Sequence, residues 1–219
     1  MFPHHVVDLL DLSSDLIFTV TTVIFCFLIY LKTRESYELT KYKGIKYFRD
    51  AFLFFGISYV LRFLFSLTLL SRVTNELLLP KGLVMLLSII LLGYFSTMGI
   101  VYLIFSFIWK KFDNKKLEIF GHGIAIALSI VALFTASHLM LISLQIILLG
   151  IALILGFTTK LKVGKMSPTK GLYFLIIALW FINLIITSER LFTWETEVFF
   201  QITSIVVFAI IYHKISKLI

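Results

Sequence analysis

Arg62 is the residue of this chain best placed to do chemistry, because it interrupts an otherwise apolar and aromatic run, Tyr59-Val60-Leu61-Arg62-Phe63-Leu64-Phe65. A guanidinium in such surroundings pairs with a carboxylate, carries its head to the membrane surface, or takes up an anion. Glu189 is the expected partner. At about 1.5 Å per helical residue, Arg62 stands about 21 Å beyond Phe48 and Glu189 about 27 Å beyond Gly171, so two parallel helices would bring them together. Gln145, Asn183 and Gln201 fall near that depth on other segments, as do Thr19, Thr21 and Thr22, and Tyr59 lies one turn from Arg62 on the same helix face. Together they could line a ligand-binding cavity. They could equally be an ion pair with interhelical hydrogen bonds of about 0.6 kcal/mol each.

The chemistry this set offers is binding. No HExxH or GxSxG motif is present, and the single cysteine, Cys26, sits inside an apolar run, where it packs as a small hydrophobe. His4, His5, His122, His138 and His213 lie at segment ends or in the amino-terminal tail and have no metal-ligand spacing beyond the adjacent His4-His5 pair. A retinal Schiff base would need a lysine in the middle of the last helix, whereas Lys214 and Lys217 are at its end. No catalytic residue, metal or cofactor is expected, and an enzyme is not.

The elements that must carry these residues belong to a bilayer. The chain has 219 residues, is 60% hydrophobic and only 15% charged, and its mean hydropathy is +1.03. Soluble domains are typically about 45–50% apolar and about 25% charged. Seven apolar runs, at about residues 16–31, 47–70, 82–109, 117–136, 139–158, 171–187 and 198–213, approach or exceed the roughly 20 residues that cross a hydrocarbon core of about 30 Å. Backbone polar groups have no partner in lipid, so the runs must be helices. The fourth and fifth are parted only by Ser137 and His138; joined, they would be about 60 Å long, so a tight hairpin is required. The expected fold is a single all-α domain over residues 1–219, a seven-transmembrane-helix bundle. Without a basic leader and cleavage site, the first run reads as an uncleaved membrane helix.

Charge sets the orientation. Of the 20 Lys and Arg residues, all but Arg62, Arg72, Lys81 and Arg190 fall in the first, third and fifth loops and the carboxyl-terminal tail. The positive-inside rule puts those loops in the cytoplasm, with the amino terminus outside and the carboxyl terminus inside a multi-pass cell-membrane protein. The basic excess is thereby explained, and no nucleic-acid partner is expected from loops this short and separated. Arg49 and Asp50 mark the cytoplasmic edge of the second helix, as a structural pair near a helix start or as an inner latch.

Two further patterns bear on packing. Gly121, Ala125, Ser129, Ala132 and Ala136 give the fourth helix a small-residue face, suited to the most buried helix or to a homo-oligomer contact. Trp180 is mid-helix; aromatics so placed could line a chromophore or lipid pocket, and lipid-facing packing is the reading preferred. A faint echo, Lys43-Gly44-Ile45 before Tyr47-Phe48 and Lys170-Gly171-Leu172-Tyr173-Phe174, makes the second and sixth helices candidate counterparts in a duplicated triplet.

In topology, and in the basic gate Lys43, Lys46 and Arg49 before the second helix, the whole chain resembles the seven-helix input modules of prokaryotic sensor kinases and cyclase-type regulators. The resemblance carries no residue-level motif. It implies a sensory module and, with no output domain expected after Ile219, a separate cytoplasmic signalling partner. A second likeness, to small triplet-duplicated sugar transporters and cation channels, rests on the odd helix count and lacks their proline-rich helices: Pro3, Pro80 and Pro168 all lie outside the spans. The expected function is a receptor-like protein binding a small or lipidic ligand in an outward-facing polar cavity; the alternative is a small solute transporter or ion channel.

Overall fold

A computed structural model of the chain describes residues 9–71, 81–109, 115–135, 138–158, 168–187 and 194–218. They form seven helices: α1 (Leu9–Thr40), α2 (Lys43–Ser71), α3 (Lys81–Ile108), α4 (Lys115–Thr135), α5 (His138–Thr158), α6 (Pro168–Thr187) and α7 (Trp194–Leu218), with no strand among the described residues. Each apolar run falls on one helix, with Ala136 at the end of the fourth run outside the described residues. Several helices, α1 and α7 above all, are longer than their runs because the i to i−4 ladder continues into polar sequence once water can serve its ends. The extreme case is α1, whose 32 residues span about 48 Å. It continues past Leu31 through Lys32–Glu35 and Arg34–Glu38 ion pairs at helical spacing. It stops at Lys41, which takes a left-handed φ of 52° and returns its amide to Tyr37 O at 2.7 Å. Ser137, between α4 and α5, lies outside the described residues.

Side-chain contacts fix the relative directions. Phe18 meets Tyr59, Cys26 meets Gly56, and Tyr30 meets Arg49, so α1 and α2 are antiparallel. Ser96 with Gln145 and Phe107 with Gly156 make α3 and α5 parallel, and Asp15 with Gln201 and Phe25 with Phe208 make α1 and α7 parallel. The helices close a ring in the order α1, α2, α3, α5, α6, α7, with α4 outside it against α3 and α5. Across the ring axis α2 and α6 run parallel, touching in sequence through Phe48–Tyr173, Phe52–Trp180, Phe55–Trp180 and Tyr59–Asn183.

That axis is solid. Trp180, Phe52 and Phe208 are among the largest fully buried side chains. Trp180 therefore faces the core and not lipid: its ring lies 4.5 Å from Phe55 and 5.6 Å from Phe52, centroid to centroid. Gly99 of α3 makes room, since a Cβ there would meet Trp180 Cζ2 at 3.3 Å. At the middle of the α1–α2 crossing, Gly56 lets the backbones approach until a Cβ would lie 3.1 Å from Cys26 Cβ.

The outside is apolar as well. Ile17, Val20, Ile24, Phe27 and Leu31 make an exposed stripe along α1, and Ile119, Phe120, Ile126 and Phe134 do so on α4. Thr22, Gln145, Asn183, Gln201 and Ser204 are buried instead. Polar inside and hydrocarbon outside is the arrangement of a protein solvated by lipid. Five helices, α1, α3, α4, α5 and α7, have stretches long and apolar enough to cross a membrane; α6 has the shorter apolar stretch Gly171–Ile186. The other helix, α2, carries Arg49, Asp50 and Arg62.

The small face of α4 packs on α3: Gly121 against Phe105 and Val101, and Ser129 against Gly93. Ala125 and Ala132 are fully buried there. The opposite face is open, with Phe134 84% exposed, so α4 is peripheral and the most buried of the candidate spans is α3. Small residues allow a close approach without enclosing the helix that bears them.

Candidate functional site

At the end of the bundle where α1 begins, four helices contribute to one hydrogen-bonded polar layer. Asn183 of α6 is its junction. Its Oδ1 accepts a short hydrogen bond from the Tyr59 hydroxyl of α2, and its Nδ2 donates to Leu179 O at 2.7 Å and to Ser204 Oγ of α7 at 3.0 Å. One turn further along α7, Gln201 Nε2 donates to Asp15 Oδ1 of α1 at 2.9 Å. Tyr59, Asn183, Ser204 and Gln201 are all buried, while Asp15 and Arg62 are half-buried.

Asp15 was not anticipated. In the sequence it stands with Asp8 and Asp11 before the first apolar run, but α1 is already helical there. The ring of Phe18 meets that of Tyr59 edge-on at 5.7 Å. Asp15 lies one turn beyond Phe18 on the same face of α1, and Arg62 one turn beyond Tyr59 on the same face of α2. The antiparallel register therefore sets carboxylate and guanidinium at one level, and both charges act on the Tyr59 hydroxyl. The signal that could have revealed this is the three-residue spacing Asp15-Phe18 against Tyr59-Arg62. Glu189, the expected partner, lies outside the described residues.

Beneath the layer, two buried polar atoms have no hydrogen-bond partner among the described residues, Thr22 Oγ1 on α1 and Trp180 Nε1 on α6. Such atoms cost about 1–3 kcal/mol each when left unmet, and bound water or ligand normally meets them.

No family model and no solved structure matches the chain. A protein of Archaeoglobus fulgidus, described as an uncharacterized protein, is 26% identical over 223 residues, covering 100% of this chain and 98% of that one. The likeness thus runs through every helix and is not confined to one segment.

Gln145 belongs to a different place. Its Nε2 donates to Ser96 Oγ at 2.6 Å and Thr97 Oγ1 at 3.2 Å, joining α5 to α3. Arg49 and Asp50 lie at the opposite, basic end. Their side chains, 15% and 14% exposed, bond to each other at 2.7 Å, and the Arg49 guanidinium lies over the rings of Tyr30 and Tyr37 at 5.1 and 5.4 Å. Arg49 thus clamps the far part of α1. Beside it Lys46 Nζ approaches Glu118 Oε1 of α4 at 3.3 Å, and the Tyr47 hydroxyl donates to the same oxygen at 3.1 Å. Sequence reasoning missed Glu118 and the tyrosine pair because nothing in the sequence indicates which helices adjoin at that end. The described residues contain no cluster of His, Cys, Asp and Glu suited to a metal ion.

Proposed function

We propose that the chain is a seven-pass membrane protein with the start of α1 outside and the basic end in the cytoplasm, and that it is a sensory or receptor-like module. It binds a small ligand between α1, α2, α6 and α7 at the outer end and signals through a partner at the basic end. The orientation rests on the placement of Lys and Arg. The observation that carries the receptor reading is the aromatic packing of Phe48, Phe52 and Phe55 against Tyr173 and Trp180. It fills the axis below the polar layer, so a ligand reaching Asp15 and Arg62 from outside meets a floor. The Arg49 clamp supports an output at the inner end, because it ties the inner part of α1 to α2. This reading agrees with the resemblance to sensor input modules.

A second reading, a triplet-duplicated transporter or channel, is favoured by one observation. The units α1–α3 and α5–α7 run in matching directions, meet at two parallel seams, and put α2 opposite α6. Reconstitution into liposomes separates the two. The receptor reading expects no flux of small anions, cations or neutral solutes in wild type or in Arg62→Ala. Flux that wild type supports and Arg62→Ala abolishes overturns it in favour of transport.

A further inference from the structure

Both α2 and α4 pack on α3 but not on each other, so a groove runs between them with α3 as its floor. Its walls meet at the inner end, where Lys46 Nζ and the Tyr47 hydroxyl reach Glu118 Oε1 at 3.3 and 3.1 Å. Above that stop the groove is aromatic. Phe95 and Tyr102 make the floor, with Phe54 of α2 at 5.8 and 5.1 Å from their ring centroids, and His122 of α4 meets Tyr102 edge-on at 6.3 Å. Phe54, Phe95 and His122 are half-buried, so the groove is open to lipid along its side.

Hydrogen-bond donors in this groove remain to be used. His122 Nδ1 and the hydroxyl of Tyr94, on α3, lie 2.8 Å apart and share one hydrogen bond. With tyrosine as the donor, the imidazole proton stands on Nε2; with imidazole as the donor, the phenol proton is left over. Either way the dyad keeps one N–H or O–H that has no acceptor among the described residues. The same is true of the Tyr102 hydroxyl, on a side chain only 7% exposed. His122 stands about 7.5 Å beyond Leu117, where the fourth apolar run begins. At that depth water is scarce and an unmet donor costs free energy, so the acceptor that meets it must itself dissolve in the bilayer.

We propose that the groove between α2 and α4 binds a membrane-soluble quinone. Its flat ring lies over Phe54, Phe95 and Tyr102, its carbonyls accept from the His122–Tyr94 dyad and the Tyr102 hydroxyl, and its apolar tail leaves through the open side. A planar ring suits an aromatic bed, where rings pack with centroids about 4.5–7 Å apart, and neutral carbonyls suit donors that carry no charge. A fatty acid would bring its carboxylate beside Glu118, and like charges in a poorly solvated place oppose binding. The carbonyl of a phospholipid ester belongs to the interfacial layer outside the hydrocarbon, whereas His122 lies within it. This groove is separate from the outer polar layer, and the proposal does not rest on the receptor reading.

The test places the full chain in nanodiscs of ester-linked or ether-linked phospholipid and compares duroquinone with durene, which share a ring and its methyl groups and differ in the carbonyls. The readouts are saturable binding above that of empty nanodiscs and the infrared carbonyl stretch, which falls in frequency when the oxygen accepts a hydrogen bond. Duroquinone is expected to bind at least tenfold more tightly than durene in both lipids, with its carbonyl band lowered. Tyr102→Phe and His122→Phe keep the aromatic bed and remove a donor. Each should weaken duroquinone about tenfold, the weight of one hydrogen bond, reverse part of the band shift and leave durene unchanged. Should His122→Phe fail to fold, Tyr102→Phe, which deletes a single oxygen, carries the test. Durene binding as tightly as duroquinone overturns the proposal, as does an unshifted carbonyl band or a folded Tyr102→Phe protein that binds duroquinone like wild type. Binding confined to ether-linked lipid also overturns it, because ester carbonyls would then already hold the donors and the groove would belong to lipid. If neither probe binds, the quinone assignment falls and the reading of the outer layer is untouched.

Discussion

The ring closes at two seams where parallel helices meet, and each is bridged by a glutamine. At the α3–α5 seam Gln145 donates to two hydroxyls, Ser96 and Thr97; at the α1–α7 seam Gln201 donates to the carboxylate of Asp15. The residue type and geometry match and the chemistry does not. The first bridge is neutral and closed, with the Ser96 hydroxyl turned back onto Leu92 O. The second holds a charge in place, at the level of Arg62. A buried amide in a membrane bundle is therefore informative through its acceptor: bonded to hydroxyls it fastens helices, and bonded to a carboxylate it also orients a charge.

The severest challenge to this contrast removes what spaces both seams. Trp180→Ala should destabilise the bundle by about 3–5 kcal/mol, read as a lowered unfolding midpoint in detergent, with both seams lost together. If only ligand response were lost and stability kept, the axis would not be the common support. Gly121→Ala comes next. Its Cβ would lie 2.7 Å from Phe105 Cζ, and overpacking of this sort costs about 1–3 kcal/mol. The damage should stay at the α3–α4 contact, with the Asp15 end intact.

The pair Gln201→Leu and Gln145→Leu then tests the contrast directly. Loss of a hydrogen bond to a charged group costs about 1.5–3 kcal/mol, so Gln201→Leu should lower stability by that order and also abolish ligand stabilisation. Gln145→Leu should cost about 0.6 kcal/mol, the average for an interhelical hydrogen bond in a membrane, and leave binding alone. Equal effects in the two variants would mean that the seams do not differ in kind. The smallest change expected is a gain. Lys41→Gly relieves a left-handed residue at the end of α1, and should raise stability by up to about 1 kcal/mol without touching either seam.

Much of the fold was legible, because lipid leaves a chain few choices: each apolar run falls on one helix, although α1 extends well past its run at both ends. What stayed hidden was which side of each helix faces inward. In water, hydrophobicity distinguishes the two faces. Here the membrane stretch of α6 is apolar but for Asn183, and the signal that turned Trp180 toward the core was its place one turn from that amide on the same face. For the same reason the small face of α4 announced a close contact but not that its other side would be bare. At the site, the depth of Tyr59, Asn183 and Gln201 was readable by counting residues. The assignment of Gln145 to a separate seam was not, since it depends on α3 and α5 being neighbours. Asp15 escaped notice because hydropathy marks where a chain enters hydrocarbon and not where its helix starts.

The close approach of Cys26 to Gly56 in the α1–α2 crossing lies midway between Asp15 at one end and Tyr37, with Arg49 over its ring, at the other. Each arm is eleven residues, about 16 Å, of unbroken helix. With Phe18 on Tyr59 beyond one side of that contact and Arg49 over Tyr30 and Tyr37 beyond the other, α1 is fastened to α2 at three levels, so the Asp15 end and the Tyr37 end are held as one rigid rod.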